Sequence, residues 1–266
     1  MTDVIREYLQ DRGRQAAEVT PLSGDASTRR YFRMVENGST FVLALYPEPF
    51  EPGELTFLGM RELLDGYELA VPAVVDVDGG RGIVLQEDLG DRTLQEVLKD
   101  VSPARQEELY REAIDDIVTL QRKSAEGAQS AECFEIAFDI EKLSWELHYF
   151  LKHYVEGYRG CELTVEDRAT LSEAFHVLCQ EIASWPRTLC HRDFHSRNLM
   201  LHQERLFWID FQDARMGPAT YDLASLLRDS YVELPDELVN ARAEEFRQRA
   251  LPGEARATFL RRFELM

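Results

Sequence analysis

Residues 190–200 of the chain read Cys190-His191-Arg192-Asp193-Phe194-His195-Ser196-Arg197-Asn198-Leu199-Met200. An asparagine follows the aspartate of His-Arg-Asp by five residues, and twelve residues further on the apolar segment 206–209 ends at Asp210. The segments 198–201 and 206–209 are both typical of short strands. We expect them to pair as a hairpin, which would bring Asn198 and Asp210 to the same end.

The spacing of these polar residues is that of a kinase catalytic loop. Phosphoryl transfer leaves little covalent work to a protein, so positioning and charge neutralisation dominate. Asp193 is the candidate catalytic base, because its carboxylate can accept the proton of an attacking hydroxyl and orient that hydroxyl in line. Asn198 and Asp210 are candidate magnesium ligands, since Mg²⁺ prefers hard oxygen ligands and takes few of them from protein besides water and phosphate oxygens.

A surface loop that contains His, Asp and Asn by chance is the simpler alternative for this stretch. The apolar strand, the second aspartate and the downstream sequence Tyr221-Asp222-Leu223-Ala224 nevertheless follow it in order. This ordered set favours ATP-dependent phosphoryl transfer with Mg²⁺ over a chance loop. We expect His191 to be structural, hydrogen-bonded within the loop, rather than a base.

Strand patterns dominate the first third of the chain. Residues 30–35 and 40–46 are typical of strands, and Asn37-Gly38 between them predicts a hairpin turn. Apolar spacing and turn residues predict further elements in this region, namely helices at 2–12 and 54–65 and strands at 71–77 and 82–87.

The remainder of the chain is rich in helical patterns. Pro103 follows Ser102 at the start of one of them, and Thr164-Val165-Glu166-Asp167 resembles a capping box at the start of another. The expected buried face of this second helix consists of Leu171, Ala174, Phe175, Leu178 and Ile182. The order of elements predicts an α+β fold with an N-terminal antiparallel sheet lobe (1–87), a connecting hinge (88–91) and a larger helical C-terminal lobe (92–266).

Composition narrows the class of partner and the compartment. The net charge of −19 over 266 residues repels nucleic acid and anionic membrane surfaces, and it would suit a cationic substrate. The N-terminus lacks the pattern of a signal peptide, and no apolar run reaches the length of a membrane span, so we expect a cytoplasmic protein. The four cysteines form no metal-ligand pattern and are expected to be free thiols.

Several motifs in order resemble those of a known family. The segments that look like the motifs of aminoglycoside phosphotransferases are 191–200, 209–213 and 218–224. Three others resemble the bacterial anomeric kinases that phosphorylate N-acetylmuramate and N-acetylglucosamine in cell-wall recycling, and they are 22–33, 85–91 and 145–150. The resemblance extends from about Leu22 to the C-terminus.

This resemblance implies a protein-kinase-like fold of two lobes with ATP between them and a small-molecule sugar as the substrate. The residues that it implies over the ATP phosphates are Gly24, Asp25 and Ser27. Backbone groups around Glu87 and Leu89 would hold the adenine. The implied activity is phosphorylation of the anomeric hydroxyl of an N-acetyl amino sugar, as part of peptidoglycan recycling.

The chain departs from the kinase pattern at the third strand. Kinases carry a lysine there that pairs with the ATP phosphates, but Ala44 occupies that position, and no lysine occurs between Met1 and Leu98. Arg30 or Arg33 could supply the charge. Being three apart on a strand they face opposite sides, so only one of them can face the nucleotide. Arg30, the nearer to the expected phosphate loop, is the predicted one.

A second departure lies at the end of the chain, where 261–266 looks like the start of a helix that continues in the family. We therefore expect the C-terminal lobe to be truncated.

Two alternatives to the sugar kinase stay open. One is a kinase of another hydroxylated metabolite, such as an aminoglycoside, choline or an amino acid. The other is a catalytically silent nucleotide-binding protein, suggested by the missing lysine.

Overall fold

The computed structural model describes residues 2–22, 28–127 and 131–266. The chain divides into two compact units. The first contains Met1–Ser102 and Arg197–Gln212, and the second contains Pro103–Ser196 and Asp213–Met266. The first unit is therefore built from two separate segments of the chain.

Strands are concentrated early and helices late. The strands are β1 (Glu18–Pro21), β2 (Arg30–Glu36), β3 (Ser39–Leu45), β4 (Val74–Asp78), β5 (Ile83–Glu87), β6 (Arg187–Cys190), β7 (Leu199–His202), β8 (Arg205–Trp208) and β9 (Arg215–Pro218). The α-helices are α1 (Asp3–Asp11), α2 (Thr56–Gly66), α3 (Leu94–Val97), α4 (Pro103–Glu126), α5 (Ile140–Phe150), α6 (Val165–Ala183), α7 (Tyr221–Leu227), α8 (Asp236–Ala250) and α9 (Arg256–Glu264). A π-helical segment, Leu151–Tyr158, continues α5.

The first unit contains a five-stranded antiparallel sheet in the order β1-β2-β3-β5-β4. Between β2 and β3, Asn37 and Gly38 both have positive φ, at 50° and 80°. Hairpin turns of two residues favour this left-handed geometry because it matches the twist of the strands. The structure confirms the predicted hairpin, and the strand predicted at 71–77 begins three residues later, at Val74.

Helix α1 covers one face of this sheet. The buried cluster that joins them consists of Ile5, Tyr8, Leu9, Phe32, Met34, Leu43, Ile83 and Leu85. Side chains alternate along a strand, so Tyr31, Arg33 and Ala44 lie on the other face. The predicted separation of Arg30 and Arg33 onto opposite faces is confirmed.

The hairpin β7–β8 also belongs to the first unit, although it follows the helices of the second in sequence. Its backbone is hydrogen-bonded to earlier segments of the unit. The Leu201 N–H donates to the Arg92 carbonyl at 2.8 Å, and the Trp208 N–H donates to the Ala70 carbonyl at 2.8 Å. These bonds fix the hairpin within the unit that carries the sheet.

The second unit is mainly helical. Helix α4 packs against α8 and β6, and β6 pairs with β9 in an antiparallel ribbon. The apolar cluster between α5 and α6 consists of Phe138, Leu143, Cys179, Ile182 and Trp185. Within the described ranges, none of the helices is long and apolar enough to cross a membrane.

Helix α6 begins as the sequence predicts. The Thr164 hydroxyl accepts a hydrogen bond from the Asp167 N–H, and the Asp167 carboxylate accepts one from the Thr164 N–H. The predicted buried face was partly wrong, because Ala174 is exposed. The buried stripe is rotated around the helix toward Cys179, which packs on α5 in the cluster above.

Candidate active site

Asn198 and Asp210 lie at the same end of the β7–β8 hairpin. Leu199 pairs with Trp208, and the Ile209 N–H donates to the Asn198 carbonyl at 3.0 Å, which extends the pairing by one residue. Asp210 follows immediately. The structure therefore confirms the predicted hairpin and places the amide and the carboxylate at adjacent positions.

The backbone of Asp210 is strained. Its φ is 63°, in the left-handed region. Any residue with a Cβ atom adopts this region only at a cost in free energy. The next residue, Phe211, is buried and stacks on Phe57 with ring centroids 5.2 Å apart. This anchor holds the turn, so that the Asp210 side chain remains 48% exposed beside a buried neighbour.

Two side chains of the first unit contact the Asp210 carboxylate. Gln212 Nε2 donates to its Oδ1 at 2.8 Å, and an Nη atom of Arg29 lies 3.4 Å from the same oxygen. The carboxylate is therefore held from two sides while it stays accessible.

The donor set at this end of the hairpin fits magnesium. It offers one neutral amide oxygen and one carboxylate, and Mg²⁺ takes few protein oxygens because it keeps waters and phosphate oxygens. Over the described part of the chain, no group of three or more His, Cys, Asp or Glu side chains is placed to hold a metal ion. The described residues therefore form no site of the structural-zinc kind, in which protein side chains supply all the ligands.

Asp193 belongs to the second unit, in the loop that follows β6. Its N–H donates to His191 Nδ1 at 3.3 Å, and its carbonyl accepts from the His195 N–H at 3.0 Å. His191 is buried, as expected of a structural residue. The Asp193 carboxylate is 43% exposed, with the Arg192 guanidinium 3.9 Å away. The loop bonds thus present an accessible carboxylate on a fixed backbone.

A buried aspartate anchors the start of this loop. Asp222, in the first turn of α7, accepts the His191 N–H at 2.7 Å and the Arg192 N–H at 3.0 Å. Arg192 has a φ of 86°, a strained value that these bonds hold in place. Burial raises the pKa of Asp222 to about 7, the two backbone N–H groups lower it, and the charge of Asp193 raises it.

A second aspartate anchors the end of the loop. Asp229 accepts the Ser196 N–H at 2.8 Å through one oxygen and the Tyr231 N–H at 2.8 Å through the other. The rings of His195 and Tyr231 lie edge to face, 5.2 Å apart. The segment around Asp193 is therefore fixed at both ends by carboxylates of the second unit.

The residues predicted to hold the nucleotide are placed as follows. Gly24, Asp25 and Ser27 lie outside the described residues. Glu87 is tied to the chain beside it, since its N–H donates to the Ala73 carbonyl at 2.8 Å and its side chain accepts the Ala73 N–H at 3.1 Å. The Leu89 carbonyl accepts a hydrogen bond from His202 at 3.2 Å. The backbone from 87 to 89 is therefore fixed.

The arginines of β2 have different surroundings. Arg30 lies on the α1 side, with its guanidinium 5.3 Å from the centre of the Phe32 ring. Arg33, on the opposite face, forms two-pronged ion pairs with Asp88 and Asp91. Ala44 shares the face of Arg33 and is only 4% exposed.

Several of the residues described above were not singled out from the sequence, among them Asp222 and Arg29. Asp222 lies within the motif 218–224, but its role depends on a contact with a loop 30 residues earlier. Arg29 is adjacent to Arg30, and only the positions of Tyr31, Tyr46 and Asp210 around it distinguish the two.

Solved structures show the fold. The streptomycin–ATP ternary complex of APH(2″)-IIa matches with a TM-score of 0.69 at 18% identity, covering 97% of this chain and 86% of that one. Choline kinase LicA from Streptococcus pneumoniae matches with a TM-score of 0.63 at 14% identity, covering 96% and 83%. The predicted protein-kinase-like α+β class is confirmed.

Curated relatives are more similar in sequence. An N-acetylmuramate/N-acetylglucosamine kinase of Neisseria meningitidis serogroup B is 34% identical over 255 residues, which cover 94% of this chain and 74% of the relative. The kinase of the same name from Pseudomonas aeruginosa is 33% identical over 234 residues, covering 88% and 66%. The model of the "Phosphotransferase enzyme family" matches residues 18–260. This chain therefore belongs to the phosphotransferase enzyme family.

Proposed function

We propose that this chain is an ATP-dependent kinase that phosphorylates the anomeric hydroxyl of an N-acetyl amino sugar, N-acetylmuramate or N-acetylglucosamine. The observation that carries this proposal is the similarity to kinases of that name at 33–34% identity over 88–94% of the chain. The anchored loop around Asp193 supports the chemical part of it. Such an enzyme would serve the reuse of cell-wall sugars in the cytoplasm.

Asp193 is the proposed catalytic base. The sugar hydroxyl would give its proton to the Asp193 carboxylate while its oxygen forms a bond to the γ-phosphorus, and the bond from that phosphorus to the β-γ bridging oxygen breaks to release ADP. An anomeric hydroxyl is more acidic than an ordinary alcohol, which favours transfer of its proton to a carboxylate. Asp222 and Asp229 accept backbone N–H groups on either side of Asp193 and so hold the backbone of that loop.

Asn198 and Asp210 are the residues that would hold magnesium, as their donor atoms fit it. Bound there, the ion would neutralise charge on the phosphates of the nucleotide.

The N–H of Leu89 is the proposed contact for adenine, because the Leu89 carbonyl is already used by His202. Glu87 shares this role as the fixed end of β5, and we keep Gly24, Asp25 and Ser27 as the proposed phosphate contacts.

A kinase of a cationic metabolite is the second candidate. The net charge of −19 favours it, since a negative surface field attracts cations and repels N-acetylmuramate, which carries a carboxylate. The sequence similarity favours the sugars, and it outweighs charge because surface charge is a property of solubility as well as of partners.

A coupled assay of ADP release tests the proposal. N-acetylmuramate, N-acetylglucosamine, an aminoglycoside and choline are offered at equal concentration with ATP and Mg²⁺, and the product is identified by phosphorus NMR. We expect turnover with one or both amino sugars and a phosphate on the anomeric oxygen. Turnover with only the cations would favour the second candidate, and a phosphate on another hydroxyl would contradict the proposed regiochemistry.

A further inference from the structure

We propose that Arg29 supplies the positive charge for the ATP phosphates that kinases place on a third-strand lysine. This inference rests on the proposed function, because it concerns how the same site binds ATP. The residue proposed is Arg29 in place of Arg30, its neighbour in the sequence, which has different surroundings.

The face of the sheet that contains Ala44 is the one that concerns the nucleotide. A third-strand lysine would project from the position of Ala44. Tyr31 lies directly opposite Ala44 in the β2–β3 pairing, so the two side chains share a face. Tyr46 follows Ala44 by two residues and, by alternation, points to the same side.

The Arg29 guanidinium lies close to two aromatic rings on this face. It lies 5.9 Å from the centre of the Tyr31 ring and 5.8 Å from that of Tyr46, within the range of cation–π contacts. Arg29 thus brings its charge to the face from which the lysine would project. Its side chain is 15% exposed and is held by this pair of rings, so little rotational freedom is left to lose on binding.

Arg29 also contacts Asp210. The Arg29 guanidinium lies 3.4 Å from the carboxylate oxygen of the residue proposed to bind magnesium. The two side chains neutralise each other in this arrangement. A magnesium–nucleotide complex offers a cation to Asp210 and an anion to Arg29, so both can exchange partners without leaving a charge unpaired.

The other arginines along these strands are engaged elsewhere. Arg33 is fixed by Asp88 and Asp91, and Arg30 lies on the α1 face of the sheet. Recruiting Arg33 would leave two carboxylates without their partner, of which Asp88 is buried. For Arg29, binding a phosphate would exchange the 3.4 Å contact with Asp210.

Nucleotide titration calorimetry tests this assignment on the full chain. MgATP and adenosine are titrated into the wild type and into Arg29→Ala, Arg29→Gln and Arg29→Lys. A charge-assisted contact to phosphate corresponds to about 10- to 150-fold in affinity, so the Ala and Gln variants should bind MgATP that much more weakly. Adenosine binding should be unchanged, and Arg29→Lys should recover part of the loss.

Controls separate charge from packing. Arg6→Ala removes an exposed arginine paired with Asp3 in the same unit and should leave both affinities unchanged. Arg29→Gln keeps a stem between the tyrosine rings, so it stays informative if Arg29→Ala does not fold. Equal weakening of MgATP and adenosine would overturn the inference, because it would mean a structural role.

Further outcomes would also overturn it. Unchanged MgATP affinity in the Arg29 variants, with a loss in Arg30→Ala, would return the role to Arg30. A wild type that binds MgATP, together with unchanged Arg29 variants, contradicts this inference alone. A wild type that binds no MgATP contradicts the proposed function as well.

Discussion

Asp222, in α7, accepts hydrogen bonds from two backbone N–H groups of the loop that contains Asp193. A carboxyl group has two oxygens that can accept both, whereas an amide has one accepting oxygen and would turn its NH₂ group toward the other donor. A buried N–H without a partner costs about 1–3 kcal/mol. Asp222→Asn should therefore lower stability by about that amount and slow turnover by displacing Asp193, with MgATP affinity kept. Urea unfolding and steady-state kinetics measure both, and unchanged turnover would contradict the positioning role.

The pH dependence of this destabilisation follows from the pKa of Asp222. Burial raises that pKa from its ordinary value of 3.8 to about 7, so between these values the folded state retains a proton that the unfolded chain has lost. The contribution of this proton to stability is complete below about pH 4 and is lost as the pH rises through 7. The difference in unfolding free energy between wild type and Asp222→Asn should therefore be larger at pH 5.5 than at pH 8. A difference that is independent of pH would mean that Asp222 does not titrate in this range.

Asp193 gives the most direct prediction at the scale of a residue. Asp193→Asn keeps the shape of the side chain but removes the proton acceptor and its charge. Turnover should fall about 100-fold or more, the upper part of the range for general-base steps, while MgATP binding is retained. Near-normal turnover in this variant would exclude Asp193 as the base.

At the scale of elements, the β7–β8 hairpin places the two proposed magnesium ligands side by side. Asp210→Ala removes the anionic one and should abolish the dependence of nucleotide affinity on magnesium, whereas Asn198→Ala should weaken it less. Titrating magnesium at fixed nucleotide concentration measures both. The same dependence in Asp210→Ala as in the wild type would place the metal elsewhere.

The β2–β3 hairpin, the β7–β8 hairpin and the α6 cap could be predicted from the sequence because all three are local. The Asn37-Gly38 turn, the apolar strands before Asp210 and the Thr164–Asp167 pair depend on residues only a few positions apart. The buried face of α6 could not be predicted in full, since it depends on where α5 packs, and Ala174 was wrongly included.

Spacing alone could not decide among the arginines, for a similar reason. Strand alternation separates Arg30 from Arg33, but it does not say which face α1 covers. Only the cluster of α1 with Phe32 and Met34 fixes that. The partner of Asp222 likewise lies 30 residues away, beyond the reach of spacing rules.

At the scale of the whole molecule, the first unit includes a segment, 197–212, that follows residues 103–196 of the second unit in the sequence. Residues 1–102 alone would lack the hairpin whose N–H groups bind the Arg92 and Ala70 carbonyls, and Phe57 would lose its contact with Phe211. We expect this fragment to lack a cooperative unfolding transition by circular dichroism. The same fragment joined to 197–212 by a flexible linker is the matched control and should regain one. A cooperative transition in the fragment alone would contradict the prediction.

This discontinuity has a consequence for synthesis on the ribosome. The residues between the two segments of the first unit, 103–196, must be translated before its last strands emerge. At about 5–20 residues per second, the first unit remains incomplete for roughly 5–20 s after residue 102 is made. During that interval the apolar surface that the hairpin later covers is open to chaperones, and residue 212 must leave the exit tunnel before the unit that contains Arg29 is complete.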